Sequence, residues 1–280
     1  TERNQEHRCL SPDLNQLEPL PLRRSAPRPA RVGWGGEGRG GEAGGRRGER
    51  RGLRPLHLRA ASAPHAAGSA YIELGQTKVL CSVFPPHQQE GREYQRHGQL
   101  ECSLRLASFA RRAHRRGTPG GTLEERQLSS ALGAALSASV QLDRYPKSTV
   151  TVHAFVIEDD GNALAAAISC ASLALADASI LLYDMVSACS CSFFADGILA
   201  LDCATAELES SLGSTLVAQM PALDQLTFLQ HEGATPLTHC VQAMQRALSG
   251  SAKLYEEMQT VLLSSRKESV GSKRSLPPAH

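Results

Sequence analysis

Hydrophobic and polar positions alternate with a two-residue period in several parts of the chain, which predicts β-strands. Residues 69–74 and 77–83 are rich in strand-forming residues and flank Gly75-Gln76, a two-residue turn with glycine first, so they predict a hairpin. Residues 100–106 predict a third strand. Residues 149–156 alternate valine and alanine with larger or polar side chains, which predicts a fourth.

Helical periodicity predicts three helices. The first carries leucines and alanines at helical spacing within residues 128–140, and Thr122 is its expected N-cap. The second is rich in alanine, runs to Ala178, and has Asn162 as its expected cap. The last is amphipathic and spans about 237–263.

Two further pairs of strands are predicted between the second and the third helix. Asp196-Gly197 marks the turn of the first pair, and Pro221 lies in the connection of the second. These strands cover residues 185–194, 198–202, 215–219 and 226–230. The order is strands, helix, strand, helix, strands, helix. Mixed strands packed against helices on one side predict an α+β fold.

Composition divides the chain into three expected regions. Hydrophobic residues make up 41% of the 280 residues, enough for a sizeable core. Ten arginines lie among many glycines between Arg23 and Arg54, and such a segment buries too little apolar surface to fold. We therefore expect a disordered extension over 1–50, a folded domain over 51–265 and a flexible tail over 266–280.

The arginine- and glycine-rich extension has two interpretations. It is either an RNA-binding arm or a solvated segment, including one created by the choice of reading-frame start. Interspersed glutamates and a single aromatic, Trp34, favour the solvated segment. The formal net charge of the whole chain is only +2, so any attraction to nucleic acid has to come from local patches.

Cysteine spacing argues against a metal site. None of the eight cysteines forms a Cys-x-x-Cys pair, and Cys189-x-Cys191 suits alternating strand positions. We expect reduced thiols in the core of an intracellular protein, with no metal and no cofactor. No uncharged apolar run reaches the ~18–20 residues that cross a bilayer, so no membrane partner is expected.

Three segments resemble the RNase PH family, in the right order and spacing. They cover roughly residues 53–265, and the Arg-Pro that begins the family fold is matched by Leu53-Arg54-Pro55. The resemblance implies the ribosomal protein S5 domain 2-like β-α sandwich. The segments are Gly68 to Leu80, Asp160-Gly161 leading to Ala174–Ala178, and Leu201-Asp202 through Met220–Thr227.

The resemblance also implies that the phosphate pocket of the family has degenerated. Active members are phosphorolytic 3′ exoribonucleases whose pattern reads Asp-Gly-Gly-Thr-Arg at a helix start. There, backbone N–H groups and the arginine hold the attacking phosphate. This chain has Asn162, Ala163 and Leu164 at the last three positions. A leucine desolvates an anion without donating a hydrogen bond.

The acidic positions of active members are altered as well. Counting without gaps between Leu201-Asp202 and Met220-Pro221 puts Leu208 and Ser214 there. Glu207 and Glu209 lie nearby and could supply a carboxylate, although solvated loop positions suit them better. The double loss implies that the chain is not an enzyme.

Within the family, this pattern is typical of the non-catalytic ring subunits of the eukaryotic RNA exosome, most of all the messenger RNA transport regulator three type. That resemblance implies a scaffold in 3′–5′ RNA degradation and processing, and a location in nucleus, nucleolus and cytoplasm. The implied partners are other RNase PH-like ring subunits, S1/KH cap subunits and single-stranded RNA. The alternatives are an active phosphate-dependent 3′–5′ exoribonuclease and a free-standing RNA-binding module.

A basic cluster in the predicted loop is the candidate RNA contact. Its members, which lie around His114, are Arg111, Arg112, Arg115 and Arg116. Lining a channel, they would contact phosphates without reading sequence. The alternative is a solvated surface loop.

Three other polar residues are interpreted structurally. Asp177 lies at the end of the alanine-rich helix, where the family also has an aspartate, and Asp184 is expected to cap or turn the chain. His153 is expected on an exposed strand face rather than at a metal.

Overall fold

The computed structural model describes residues 52–88, 97–111 and 122–274. Within these residues the chain forms nine strands, four α-helices and a short 3-10 helix (Leu142–Arg144). The strands are β1 (Leu56–Ala60), β2 (Gly68–Leu74), β3 (Thr77–Gln88), β4 (Gln99–Leu106), β5 (Ser148–Glu158), β6 (Ser187–Phe193), β7 (Leu199–Leu201), β8 (Gly213–Met220) and β9 (Gln225–Gly233). The helices are α1 (Leu123–Ser137), α2 (Ala163–Asp177), α3 (Thr205–Leu208) and α4 (Leu237–Arg274).

A five-stranded sheet has the order β1-β2-β3-β5-β4. The predicted hairpin is confirmed, because β2 pairs with β3 around a turn in which Gly75 has a φ of 63°. A side chain at that position would also meet Arg54 at 2.8 Å. The predicted strand near residue 100 is β4. It pairs with β5 in parallel, at the far edge of the sheet.

Helix α2 crosses the inner face of this sheet. Residues 163–175 are all buried, and Ile72, Val79 and Val152 of the sheet are completely inaccessible to solvent. The helix approaches β2 closely at Gly68, where an added Cβ would lie 2.2 Å from the backbone nitrogen of Ala178. An alanine-rich helix fits here because small side chains allow this close contact between helix and sheet.

The second sheet has the order β7-β6-β8-β9 and lies on the other side of helices α1 and α2. Helix α4 covers the outer face of this second sheet, where Val217 packs with Ala243 and Ala247. The layers are therefore sheet, helices, sheet and helix. This arrangement confirms the predicted α+β fold of the RNase PH type.

The predicted N-cap of α1 is confirmed. The Thr122 side chain accepts from the Glu125 backbone at 3.2 Å, and the Glu125 carboxylate accepts from the Thr122 backbone at 2.7 Å. This reciprocal pair is a capping box. The Glu125 carboxylate also accepts from the Leu106 backbone at 3.0 Å, so the same residue joins the start of α1 to β4.

Helix α4 is longer than predicted. It continues to Arg274, so the expected tail over 266–280 begins inside this helix. Apolar residues recur at helical spacing only as far as Leu263, and the residues that follow are polar. The sequence pattern therefore does not predict that the helix continues. Arg266 nevertheless donates to the Ser179 hydroxyl at 2.8 Å. The expected extension over 1–50 lies outside the described residues.

The cysteines of the described residues are all free thiols. Five are buried and two, Cys102 and Cys240, are half-buried, which agrees with the predicted core thiols. Cys9 lies outside the described residues. In the part of the chain that is described, no helix has both the length and the apolar character needed to cross a membrane.

Candidate functional site: a pocket at the start of helix α2

The turn between β5 and α2 forms the base of the candidate site. Gly161 has a φ of 92°, and a side chain there would lie 2.9 Å from both the Cys203 carbonyl oxygen and a Leu208 methyl group. Only glycine fits this turn without a backbone shift. The Asp159 carboxylate accepts from the Gly161 backbone at 3.0 Å and holds the turn in place.

Arg54 fixes the same turn from outside the helix. Its guanidinium binds the Asp202 carboxylate through Nε–Oδ2 at 2.7 Å and Nη2–Oδ1 at 2.8 Å. It also donates to the Asp160 carbonyl oxygen at 3.1 Å. Burial lowers the pKa of Arg54, but the hydrogen bond and the charge of Asp202 outweigh burial, and the net pKa is raised. The arginine therefore stays charged.

Asn162 precedes α2 but does not cap it with its side chain, contrary to the sequence prediction. Its backbone is left-handed, with a φ of 58°, and its side chain is directed toward the loop after β7. There the amide donates to Asp202 Oδ1 at 3.2 Å and to the Cys203 carbonyl oxygen at 3.0 Å. Asn162 thus ties the turn to the second sheet.

A pocket of about 300 Å³ opens beside the first turn of α2. Ala163 and Leu164, which are only 6% and 7% exposed, form one wall of it. Strands β6, β8 and β9 of the second sheet, helices α1 and α3, and the segments that follow β4 and β5 complete the lining. The remaining lining residues are Arg111, Leu128, Asp159, Gly161, Asn162, Ser190, Thr205, Leu208, Ser214, Leu216, Gln230 and Glu232.

The structure brings together the two sets of positions that sequence spacing singled out. Leu208 and Ser214 line the same pocket as Leu164, although they lie on α3 and β8. Glu207 and Glu209 are not among the lining residues. The Glu207 carboxylate instead accepts from the Ala204 backbone at 3.1 Å and caps α3, whereas Glu209 is exposed as expected.

The charged groups around the pocket do not favour an anion. Arg111 binds Asp159 at 2.6 Å and Glu124 at 2.5 Å. Burial lowers the pKa of Arg111, but its hydrogen bonds to the two carboxylates outweigh burial and raise it. The positive charge of Arg111 is already paired with two carboxylates, and Glu232 adds another carboxylate to the lining. A phosphate entering here would meet net negative charge beside apolar side chains.

Arg111 is the one member of the predicted basic cluster whose position is described. Arg112, Arg115 and Arg116 lie outside the described residues. The contacts of Arg111 with Asp159 and Glu124 were not predicted, because the aspartate is 48 positions away in the sequence. The prediction that this cluster contacts RNA is not tested by these contacts.

Ser190 is a pocket residue that the sequence did not reveal. Ser190 lines the pocket and is 2% exposed, and its buried hydroxyl has no hydrogen-bond partner among the described residues. It lies on β6, where serine alternates with alanine and cysteine on a strand buried on both faces. Nothing in that alternation distinguishes a pocket residue from a core residue.

The other three polar candidates have structural positions. The Asp177 carboxylate accepts from the Ser69 backbone at 3.0 Å and joins α2 to β2. The Asp184 carboxylate accepts from the backbones of Met185 and Ala222, as expected of a residue that turns the chain. His153 is exposed on the outer face of β5. Among residues with described positions, no group of three or more His, Cys, Asp or Glu is placed to hold a metal ion.

Residues 52–180 match the RNase PH sequence profile, described as the 3′ exoribonuclease family, domain 1. The chain is also 41% identical over 228 residues to exosome complex component MTR3 of Homo sapiens, covering 75% of this chain and 83% of that protein. The chain belongs to the RNase PH family. The predicted resemblance to the messenger RNA transport regulator three type is confirmed by this similarity.

Solved structures of RNase PH relatives share the fold. Rrp46 of rice (Oryza sativa) superposes with a TM-score of 0.68 at 23% identity, over 79% of this chain and 100% of that one. The Archaeoglobus fulgidus exosome, solved with RNA bound to its active site, superposes with a TM-score of 0.64 at 17% identity, over 73% and 88%. At these identities the comparison establishes the fold alone.

Proposed function

We propose that this chain is a non-catalytic ring subunit of the RNA exosome, which scaffolds 3′–5′ RNA degradation and processing. The observation that carries the proposal is the pair Leu164 and Leu208, which line the pocket at the start of α2. Phosphorolysis needs donors that hold an attacking phosphate and an acid that assists the leaving group. Two leucine side chains supply neither.

The similarity to exosome complex component MTR3 supports the same conclusion from another direction. The proposed partners are other RNase PH-like ring subunits, S1/KH cap subunits and single-stranded RNA. The proposed location is nucleus, nucleolus and cytoplasm, where such a complex would act on RNA. The proposed domain boundaries are a disordered arginine- and glycine-rich extension over 1–50 and an RNase PH-like domain over 51–265.

We also propose that the basic cluster touches RNA as it passes through the ring. Arg112, Arg115 and Arg116 follow Arg111 closely in the sequence, and Asp159 and Glu124 fix the position of Arg111 beside the pocket. Contacts of this kind attract phosphates independently of sequence and weaken with salt. Arg111 itself would contribute little, because two carboxylates already balance its charge.

An active phosphate-dependent 3′–5′ exoribonuclease is the second candidate. It is favoured by the polar groups that remain in the pocket, above all the unpaired hydroxyl of Ser190 together with Ser214 and Thr205. Hydroxyl groups alone bind phosphate weakly, because charge-assisted bonds are roughly twice as strong as neutral ones. The carboxylates of Asp159 and Glu232 oppose the anion further.

Incubation of the pure full-length chain with single-stranded RNA and inorganic phosphate tests the proposal. We expect no release of nucleoside diphosphates, whereas an active RNase PH enzyme assayed in parallel should release them. If diphosphates appear, the variant Leu208→Trp identifies their source, because a bulky ring in the pocket blocks intrinsic activity and leaves a contaminant unaffected. Activity abolished by that variant would establish the second candidate.

A further inference from the structure

The second sheet presents a polar patch to the pocket beside α2. The register pairs Ser190 with Leu216 and Leu216 with Gln230, which makes one row across β6, β8 and β9. Ser214 pairs with Glu232 in the next row on the same face. All five residues line the pocket. Because directly paired residues place their side chains on one face, the sheet directs two hydroxyls, an amide and a carboxylate toward this space.

Ser190 faces the pocket and not the apolar layer beneath α4. Its neighbours on β6 face that helix, because an added Cβ at Gly250 would lie 2.9 Å from Cys189 Sγ, and Cys191 belongs to the apolar cluster that includes Ala243. Alternation along the strand therefore directs Ser190 to the opposite face. Its hydroxyl is buried and has no hydrogen-bond partner among the described residues. A ligand that offers a hydrogen bond there recovers the cost of burying this group.

The charged groups of the pocket favour a cation. Arg111 is the one basic residue among the described lining residues, and it is already bound to Asp159 and Glu124. Glu232 is exposed, accepts from the amide of Gln230 at 2.8 Å, and forms no ion pair with any residue whose position is described. The start of α2 adds only about half a positive charge. Three carboxylates therefore outweigh the positive groups, and Glu232 is the one that lacks a cationic partner.

The remaining walls of the pocket are largely apolar. Leu128, Ala163, Leu164 and Leu208 reach it from α1, α2 and α3. Its volume of about 300 Å³ lies at the lower end of the range for small-molecule sites. A ligand that matches these walls has a short apolar body with a polar group at each end.

The distance between the polar ends sets the length of such a ligand. Ser190 and Glu232 lie two strands and two residues apart, so a strand spacing of about 4.8 Å and a rise of about 3.4 Å per residue put their Cα atoms about 12 Å apart. A four-carbon chain with a polar atom at each end is about 6 Å long, and a hydrogen bond of about 2.9 Å at each end extends its reach to about 12 Å. The flexible side chain of Glu232 adjusts to the remaining difference.

We propose that the pocket binds a short aliphatic amino alcohol in its protonated form, with the ammonium group on Glu232, the carbon chain on Leu216 and the hydroxyl group on Ser190. An aliphatic amine is protonated at neutral pH, because its pKa resembles that of lysine, about 10.4. The hydroxyl of the ligand pairs with Ser190 without burying a second charge, whereas a diamine would bury an ammonium group there. The inference rests on the proposed function, in which this pocket no longer holds phosphate.

Methyl NMR of the full-length chain with labelled leucines tests the proposal by titration. The probe is terminal aminobutanol. Butanediol and hydroxybutyrate keep its size but replace the ammonium group with a neutral and a negative group, and butylamine lacks the hydroxyl. We expect aminobutanol to shift the methyl signals of Leu164, Leu208 and Leu216 with millimolar affinity, butanediol and butylamine to bind more weakly, and hydroxybutyrate to leave these signals unchanged. Equal affinity for aminobutanol and hydroxybutyrate, or shifts confined to other leucines, would overturn the inference.

Two variants assign the two ends of the ligand, once thermal melting has shown that each one folds. Glu232→Gln should lower the affinity for aminobutanol about two- to fivefold, as expected for an exposed ion pair. Ser190→Ala should remove the advantage of aminobutanol over butylamine, which we expect to be about two- to tenfold in the wild type. Glu209→Gln changes an exposed carboxylate outside the pocket lining and should bind as the wild type does. An advantage of aminobutanol that persists in Ser190→Ala would contradict the assignment of that end.

The remaining outcomes separate the inference from the proposed function. Absence of aminobutanol binding together with absence of diphosphate release would reject the inference and leave the proposed function standing. Release of diphosphates, with inorganic phosphate shifting the same methyl signals, would reject both. Aminobutanol binding that disappears in the purified complex would mean that a protein side chain fills the pocket there, and it would overturn a free amino alcohol as the ligand.

Discussion

The Arg54 guanidinium and the Asp202 carboxylate form a buried, bidentate ion pair across 148 positions of sequence. Their side chains are only 8% and 2% exposed. Arg54 also donates to the Asp160 carbonyl oxygen, so the start of the domain, the turn before α2 and the loop after β7 meet at one side chain. These are three of the segments that carry the resemblance to the RNase PH family, and their common role is to hold this junction.

Removing the charge of Asp202 should therefore destabilise the domain. Asp202 has a φ of 51°, which asparagine tolerates, so Asp202→Asn removes the charge with little backbone strain. Breaking a buried pair typically costs about 3–5 kcal/mol. Because the Asp160 carboxylate, 3.5 Å from Arg54, still compensates part of the charge, we expect the free energy of unfolding in urea to fall by about 3 kcal/mol.

The matched control is the half-exposed pair of Lys78 and Glu158, whose side chains are 33% and 44% exposed. Glu158→Gln should cost about 1 kcal/mol or less, because water screens an exposed pair. Equal costs for Asp202→Asn and Glu158→Gln would show that the buried pair has no special structural role.

Periodicity predicts the strands and helices of this fold better than it predicts which elements and side chains contact one another. Strand β5 and helix α2 were found because their patterns repeat over many residues and a large buried face enforces them. The parallel pairing of β4 with β5, the contact of Arg54 with Asp202 and the buried hydroxyl of Ser190 depend on partners far away in sequence. A local pattern contains no information about such partners.

The pocket likewise has features that the sequence predicts and features that it does not. Leu164, Leu208 and Ser214 were singled out by spacing within a family pattern, and the structure places all three around one cavity. The left-handed backbone of Asn162 was not foreseen, because the cap preference assumes an extended residue at that position. Its side-chain amide donates to both the Asp202 carboxylate and the Cys203 carbonyl oxygen instead of capping the helix.

The capping carboxylate of Glu125 should make stability depend on pH. Partial burial raises its pKa, but hydrogen bonds from the backbones of Leu106 and Thr122 outweigh burial, and the net pKa lies below its ordinary value of 4.5. A lowered pKa adds stability that is complete above the pKa of the unfolded chain and is lost as pH falls through the folded pKa.

Urea unfolding of the wild type and of Glu125→Gln over a range of pH checks this expectation. The difference in unfolding free energy should be largest near neutral pH and should shrink below a pH of 4.5. Ser130→Ala, on the exposed side of α1, is the control and should keep the wild-type pH profile. A difference between Glu125→Gln and wild type that stays constant with pH would mean that the charge of Glu125 is not involved.

Buried thiols should resist alkylation in the folded protein. Burial is the main cause that raises the pKa of Cys191 to about 12 and that of Cys203 to about 11. Because the thiolate is the reactive form, native protein at neutral pH should be modified by iodoacetamide at half-buried Cys240 well before either of these. Site-resolved mass spectrometry measures the order, and denatured protein serves as the control in which all three react.

Rapid native labelling of Cys191 would contradict the packing of α4 on the second sheet. Cys191 belongs to the cluster that Val217 and Ala243 form between that sheet and the helix. Its labelling therefore reports opening of this layer.

The basic cluster should contribute to RNA affinity without Arg111. In the purified complex, replacement of Arg112, Arg115 and Arg116 by alanine should weaken binding of single-stranded RNA. The slope of the logarithm of the binding constant against the logarithm of salt concentration should become shallower by about one unit for each phosphate that is no longer neutralised. Arg111→Ala should change the slope little, because Asp159 and Glu124 already balance that charge. Fluorescence anisotropy over a salt series measures the affinity and its salt dependence. An equal reduction of slope from Arg111→Ala alone would show that Arg111 itself contacts RNA.

Restoring a cation at the start of α2 should create anion affinity that the wild type lacks. Leu164 lines the pocket on the first turn of the helix, where N–H groups and the helix dipole favour negative charge. Leu164→Arg adds charge-assisted bonds worth about 1.5–3 kcal/mol each, which corresponds to roughly a ten- to hundredfold gain in affinity for inorganic phosphate. Calorimetric titration with phosphate measures it, once thermal melting has shown that the variant still folds.

Leu164→Gln separates charge from polarity in the same position. It adds a neutral donor of similar size, so its phosphate affinity should stay close to that of the wild type if the guanidinium charge is what the pocket needs. Saturable phosphate binding by the wild-type chain, equal to that of Leu164→Arg, would contradict this account. It would mean that the hydroxyl of Ser190 and the backbone at the start of α2 hold an anion despite the carboxylates of Asp159 and Glu232.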